Sequence, residues 1–328
     1  MRVVALIVIL TLGLLLAPLA AEAQPAGKVY RVGFLGGAGP SPPLLEALRA
    51  GLRDRGYVEG RNLAFESRYA EEKHDRLPAL AAELIGLPVD GLVVGSHQAT
   101  DVAKAASRTT PIVFVAIGDP VASGRVASLA RPGGNLTGLT WDTGPEQWAK
   151  SLEFLKEAVP GVSRVAVLWD PADPANPTPT WLGYRAAMES GARQLKLALH
   201  QLYVRQPEDF ARVFAAIEQA RADAVVWCFG ALREQPVLDF VARRRLPSVV
   251  CWREPVTRGA LMSYAPSVPD LYRRAAVYID KILKGARPAD LPVEQPMTFE
   301  FVINLKTAKA LGIAFPQSIL LRATEAIE

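Results

Sequence analysis

Short apolar runs rich in β-branched residues alternate with amphipathic helical segments along this chain, and the series runs twice. The first series places strands at residues 30–35, 63–68, 91–95, 112–117 and 136–141. The second places them at 164–169, 199–204, 224–229, 248–252 and 261–264. Between them, Leu44, Leu45, Leu48 and Leu52 recur at helical spacing, as do Leu77, Leu80, Ala81 and Leu84, and Phe210, Val213, Phe214 and Ile217. The unbroken run Val165, Ala166, Val167, Leu168 suits a strand covered on both faces. This predicts an α/β fold of two similar lobes, each a parallel sheet with helices on both faces, meeting at a cleft. A long helix over 146–159 leads from the first series to the second. Another, over 268–283, stops at Lys284-Gly285. Residues 287–296 carry three prolines and read as a connector. One more strand is expected over 299–303, then a short helix through Leu311-Gly312.

The start of the chain bears on where such a fold would work. A basic Met1-Arg2, an apolar run over 3–19 and the small residues Ala21 and Ala23 around Glu22 match a secretory signal peptide, residues 1–23. No cysteine stands at the cleavage site, so lipid anchoring is not expected there. The mature protein is expected to be soluble and periplasmic. With 50% hydrophobic and 21% charged residues among 328, it should be globular. The net charge of +4 is scattered, with small groups at Arg243–Arg245 and Arg273-Arg274. That is a solvated surface rather than the basic stripe a nucleic-acid binder needs. Cys228 and Cys251 lie in two consecutive predicted strands. They are either a disulfide or two buried thiols.

In open parallel sheets, ligands bind beyond the carboxyl ends of the strands. Those ends supply the candidate ligand-binding residues: Gly37, Ser96, His97, Asp119, Trp141, Trp169, Asp170, Phe229, Trp252, Arg253 and Tyr264. Trp169 and Trp252 are read either as core or as aromatic pocket walls. Asp119 is read as a ligand-ammonium partner or as the cap of a helix starting near Val121. Arg253 and Glu254 are read as a charged ligand contact or a local pair. His97 either meets the ligand or helps Ser96 cap the next helix.

No cofactor, metal site or catalytic centre is expected. Gly36-Gly37-Ala38-Gly39 follows a strand, but Pro40, Pro42 and Pro43 and the glycine spacing break the dinucleotide fingerprint. His74, His97 and His200 show no metal-ligand spacing. There is no nucleophile elbow, no zinc-protease motif and no Walker loop.

Several segments resemble one family, the substrate-binding proteins of ABC transporters with the type I periplasmic-binding fold, nearest to members that bind tryptophan and other aromatic amino acids. They are residues 31–35 (Arg-Val-Gly-Phe-Leu), the helix 44–56 with 57–62 (Tyr-Val-Glu-Gly-Arg-Asn), and 111–120, which ends Gly-Asp-Pro. With them go 128–138 (Ser-Leu-Ala-Arg-Pro-Gly-Gly-Asn-Leu-Thr-Gly), Lys284-Gly285, 288–296 and 303–312. The resemblance implies a binding protein, not an enzyme, whose lobes close on a small ligand about a hinge and dock on an ABC permease in the membrane. It implies a first lobe of 28–141 plus 265–296, a second of 142–264 plus 297–328, and a monomer. Carried over by position, Asp119 meets a ligand amine and Ser96 a polar group. Asp170, Trp252 and Tyr264 contribute from the second lobe or hinge. The proline-rich turn 39–43 and the loop 173–179 depart from many relatives and border the cleft, which leaves the ligand open. An amino acid is expected, with a purine- or pyrimidine-like ring as the competitor. A periplasmic ligand sensor signalling to a receptor, and an exported hydrolase using Ser96 and His97, are the alternative functions. A hydrolase would need a third group to orient the base.

Overall fold

The computed structural model describes residues 28–142, 144, 146–169, 178–204, 206–228 and 234–328. The signal segment therefore lies outside the described residues, as do Asp170, Phe229 and most of the loop 173–179.

The first sheet holds β1 (Tyr30–Gly36), β2 (Leu63–Tyr69), β3 (Gly91–Val94), β4 (Ile112–Ile117) and β5 (Leu136–Thr140), all parallel, in the order β2-β1-β3-β4-β5. The second holds β6 (Arg164–Trp169), β7 (Ala198–Tyr203), β8 (Ala224–Trp227), β9 (Ser248–Val250) and β10 (Met262–Pro266) in the order β7-β6-β8-β9-β10. The two orders are the same once the strands are renumbered within each sheet, so the doubled sequence pattern is a doubled topology. In this order the chain reverses direction across the sheet beside the first strand of each series, which opens a crevice at the strand tips.

The second sheet departs from the all-parallel expectation. It is extended by β11 (Phe299–Asn304), antiparallel to β10, and by β12 (Glu325–Ile327), parallel to β11. The sequence reading missed β12: three residues, two of them polar or small, give no periodic signal.

Helices follow the apolar stripes. In α1 (Pro42–Arg53), Leu45, Leu48 and Leu52 are buried, and prolines sit in its first turn, where their missing N–H costs nothing. α2 (Leu77–Gly86) and α3 (His97–Ala106) complete the first series. The second series carries α4 (Glu146–Ala158), α5 (Thr178–Gln194), α6 (Asp209–Gln219), α7 (Glu234–Arg244) and the short α8 (Arg253–Thr257). α9 (Val268–Leu283) is capped by Ser267, whose side chain accepts from the Asp270 N–H. It follows β10 in sequence but packs on α1, covering the first sheet. α10 (Leu305–Leu311) and α11 (Gln317–Arg322) end the chain.

The chain thus passes between the sheets three times: after β5, after β10 and before β11. The third passage is pinned to the first sheet. The Glu294 N–H donates to Gly138 O (3.0 Å), the Thr140 N–H to Glu294 O (2.9 Å), and the Tyr278 hydroxyl to Pro292 O (2.6 Å). An ion pair between Arg274 and Glu294 adds to this.

Candidate functional site

The first lobe's tips are built mainly of backbone. Gly37, just past β1, is buried, and a Cβ there would stand 2.6 Å from Ser96 Oγ, so glycine lets the β1 and β3 tips meet. Ser96 is the N-cap of α3: its Oγ accepts from the Ala99 N–H (3.1 Å). His97 opens that helix, and its Nε2 accepts from the Gly118 N–H at 3.5 Å. Burial, with Arg125 beside it, pushes its imidazole down to about 4, against a smaller opposing pull from Asp101, so it is neutral at neutral pH. Arg125 itself is buried and held in a two-pronged pair by Asp101, at 2.8 Å to each oxygen.

β4 ends in a register shift between Val115 and Ile117, where Ala116 takes φ +58°. A non-glycine residue in this left-handed region costs about 1–2 kcal/mol. Bulges of this kind re-aim strand ends; this one aims Gly118 and Asp119. Asp119 starts a turn rather than the helix considered from sequence: its Oδ1 accepts from the Ala122 N–H at 2.9 Å.

The second lobe brings rings. Trp252, ahead of α8, meets Trp141 from the tip of β5, with ring centroids 5.2 Å apart, so one aromatic contact spans the lobes. Trp141 is 7% exposed, and its indole N–H is buried without a partner among the described residues. Trp169 is 4% exposed. It packs on Trp148 (5.3 Å) and donates from Nε1 to Gln201 (3.0 Å), which makes it a wall behind the cleft rather than its surface. Tyr264 lies further along, between Phe154 (4.9 Å) and Phe299 (5.4 Å), in the aromatic packing where β10 meets β11.

Arg253 has a partner within its own lobe. Its guanidinium is exposed and bound two-pronged to Glu325 (2.7 and 2.5 Å), which braces β12. The partner is 72 residues away, on the strand that sequence reading missed.

Two further residues complete the constellation. Asp142 lies in the passage from β5 to α4. Its Oδ1 accepts from the Gly144 N–H (2.8 Å), and it also takes a hydrogen bond from Tyr184 of α5. Burial raises its carboxyl above the usual carboxylate range; the Gly144 and Tyr184 bonds oppose that rise, and Asp119 and Glu146 add to it. Tyr184 packs at a tilt on Trp148, with centroids 5.3 Å apart, and burial, then Asp142, pushes its phenol upward. A strand-end reading finds Asp142 beside Trp141; nothing local marks Tyr184, whose part depends on α5 packing against α4.

The arrangement brings Asp119 within electrostatic reach of Asp142, which follows Trp141 of the indole pair, and the backbone-lined tips of β1 and β3 belong to the same lobe as Asp119. It offers attraction to a cation and faces for a flat ring. Ser96 Oγ and His97 Nε2 are each engaged by a backbone N–H, not arranged as nucleophile and base. A groove of about 510 Å³ lies between α6 and α7, lined by Phe214, Phe240, Arg243 and Arg244. It sits on a helical flank of the second sheet, away from the strand tips. Among the described residues no helix is long and apolar enough to cross a membrane.

Solved structures share this architecture. A conserved domain protein of Vibrio cholerae is 26% identical, covering 91% of this chain and all of its own, with a TM-score of 0.78. A Streptococcus pneumonia ABC domain in complex with L-Trp is 24% identical, covering 92% and 100%, with a TM-score of 0.79. A tyrosine-binding protein of Clostridioides difficile (strain R20291) is 23% identical over 267 residues, 80% of this chain and 74% of the relative. The model of the ABC transporter substrate binding proteins matches residues 44–327, and the chain belongs to that family.

Proposed function

We propose that this protein is exported by its N-terminal signal segment, binds an amino acid with an aromatic or hydrophobic side chain between its lobes, and delivers it to a membrane permease of an ABC importer. The observation that carries this reading is the interlobe contact of Trp141 with Trp252, with Asp142 next to Trp141 in the chain and Asp119 within electrostatic reach of Asp142. The carboxylates suit an ammonium group, and the indole pair suits a ring. Because Arg253 is spent on Glu325, the ligand's carboxylate is assigned to the first lobe, where α3 starts at Ser96. The tyrosine-binding relative and the Trp-bound structure support the ligand class. Hinge closure uses the three passages between sheets, with the lobes bounded near residues 142, 266 and 297.

The test is a thermal-shift screen of the mature protein, freed of carried-over ligand by unfolding and refolding, against amino acids, nucleobases and small aromatic acids. A ligand at ~100 times its Kd stabilises by about 2.7 kcal/mol. A shift with tyrosine, tryptophan or phenylalanine that is lost in Asp119→Ala is the expected result. A shift with nucleobases alone would overturn the amino-acid assignment and keep the binding role. Neither the sensor nor the hydrolase reading gains an observation here.

A further inference from the structure

The bond between Cys228 and Cys251 is a disulfide, with Cα atoms 5.2 Å apart, and its place in the sheet bears on the cleft. β8 and β9 are short, and their ladder ends at Trp227 opposite Val250. The next residue on each strand is the cysteine, so the covalent link sits one step beyond the last paired residues, at the cleft end of the sheet. Trp252 follows at once, in extended conformation (φ −133°, ψ 155°), and presses on Trp141 of the other lobe.

Beyond Trp252 the chain is anchored by α8, where Val256 is buried and its carbonyl accepts from Asn304 Nδ2 at 2.7 Å, so the disulfide and α8 hold Trp252 from its two sides. α8 is five residues long, too short to hold itself by its own hydrogen bonds. The residue next to Trp252, Arg253, adds only a solvent-exposed pair with Glu325, a class of contact that fixes geometry weakly. Cys251 is 7% exposed, and its sulfur lies 3.9 Å from Trp227 O, so the disulfide is seated in the sheet rather than hung from a loop.

We propose that the Cys228–Cys251 disulfide is a positioning element of the ligand cleft: by tying the tips of β8 and β9 together it holds Trp252 against Trp141, so that the oxidation state of the two sulfurs sets how well the second lobe presents its aromatic wall. The ligand half of this proposal rests on the cleft being the binding site. Reduction by an external dithiol breaks the one S–S bond. It yields two cysteine thiols, while the dithiol loses two hydrogens and closes to its own disulfide.

The experiment compares four samples: oxidised wild type, wild type reduced by dithiothreitol under native conditions, Cys228→Ala/Cys251→Ala, and Trp252→Phe as the reference without the indole pair. The first readout needs no ligand: the exciton couplet in circular dichroism that two indoles in contact produce. The second is calorimetric titration with L-tyrosine and L-tryptophan. Loss of the disulfide is expected to move the couplet most of the way to that of Trp252→Phe and to weaken binding about tenfold. A lowered unfolding midpoint with couplet and affinity both unchanged would show a stability staple only and overturn the proposal. If the double variant does not fold, the reduced wild type carries the same comparison. If oxidised wild type binds neither amino acid, the ligand assignment fails, while the couplet still decides whether the disulfide places Trp252.

Discussion

The two lobes run the same strand order yet finish their cleft-facing tips in opposite ways. The first ends in Gly37, Ser96 and Gly118, where chains approach closely and little side chain intervenes. The second ends in Trp252 and a disulfide, with Trp169 packed behind. One topology can therefore present a wall mostly of backbone dipoles, with Trp141 at its edge, and opposite it a ring backed by a disulfide. The strand order fixes where a wall stands, and a few tip residues fix its chemistry.

The largest effect should come from putting a side chain where the first lobe has none. At Gly138 φ is +152°, and a Cβ would stand 2.0 Å from Phe114 O, a backbone atom that cannot step aside. Gly138→Ala is expected to destabilise by about 4 kcal/mol or more, read by urea unfolding. A loss under about 1 kcal/mol would show that β4 and β5 can part without cost. In the second lobe, Cys228→Ala/Cys251→Ala should lower stability by about 2–4 kcal/mol.

The lobes also answer pH with opposite signs. His97, held down near 4 from an ordinary 6.5, keeps its proton off in the folded state. Its contribution is intact above about pH 6.5 and is lost as pH falls toward 4. In the second lobe, Glu234 is 3% exposed beside Arg258, and burial pushes its carboxyl up to about 7 despite that arginine. Its stability is present below about pH 4.5 and is lost as pH rises toward 7. A pH series of unfolding free energies should therefore lose its acid-side fall, about 2–3 kcal/mol, in His97→Gln. In Glu234→Gln the neutral-side fall should shrink instead. Parallel curves for both variants would refute the contrast. The smallest effect is expected at Arg253→Ala, within about 1 kcal/mol in stability and with ligand affinity unchanged; a large loss of affinity would return Arg253 to the cleft.

The doubled sheet was legible because its cause is local. Runs such as Ile112 to Ile117 are apolar on both faces, and their alternation with amphipathic helices leaves few topologies. Legibility stopped where a residue's role depends on a distant partner. Arg253 looks like a free cation until β12 supplies Glu325. Tyr184 is one more helical residue until α5 turns it toward Asp142. The bulge at Ala116 carries no glycine to announce it, so the tilt of Gly118 and Asp119 had no signal in the sequence. Whether the two cysteines bond turned on register, which the sequence left open and the pairing of Trp227 with Val250 decides.

The position of α9 has a consequence in time. This helix caps the first sheet, with the Tyr57 hydroxyl donating to Asp280 and Arg273 paired with Asp54, contacts that join residues 223 and 219 positions apart. The first lobe cannot close its core until nearly all of the chain has emerged. Contacts of such long range make folding slow, because the loop must close before anything rewards it. A first lobe arranged in this way is completed late in synthesis, when the helix that covers its sheet becomes available.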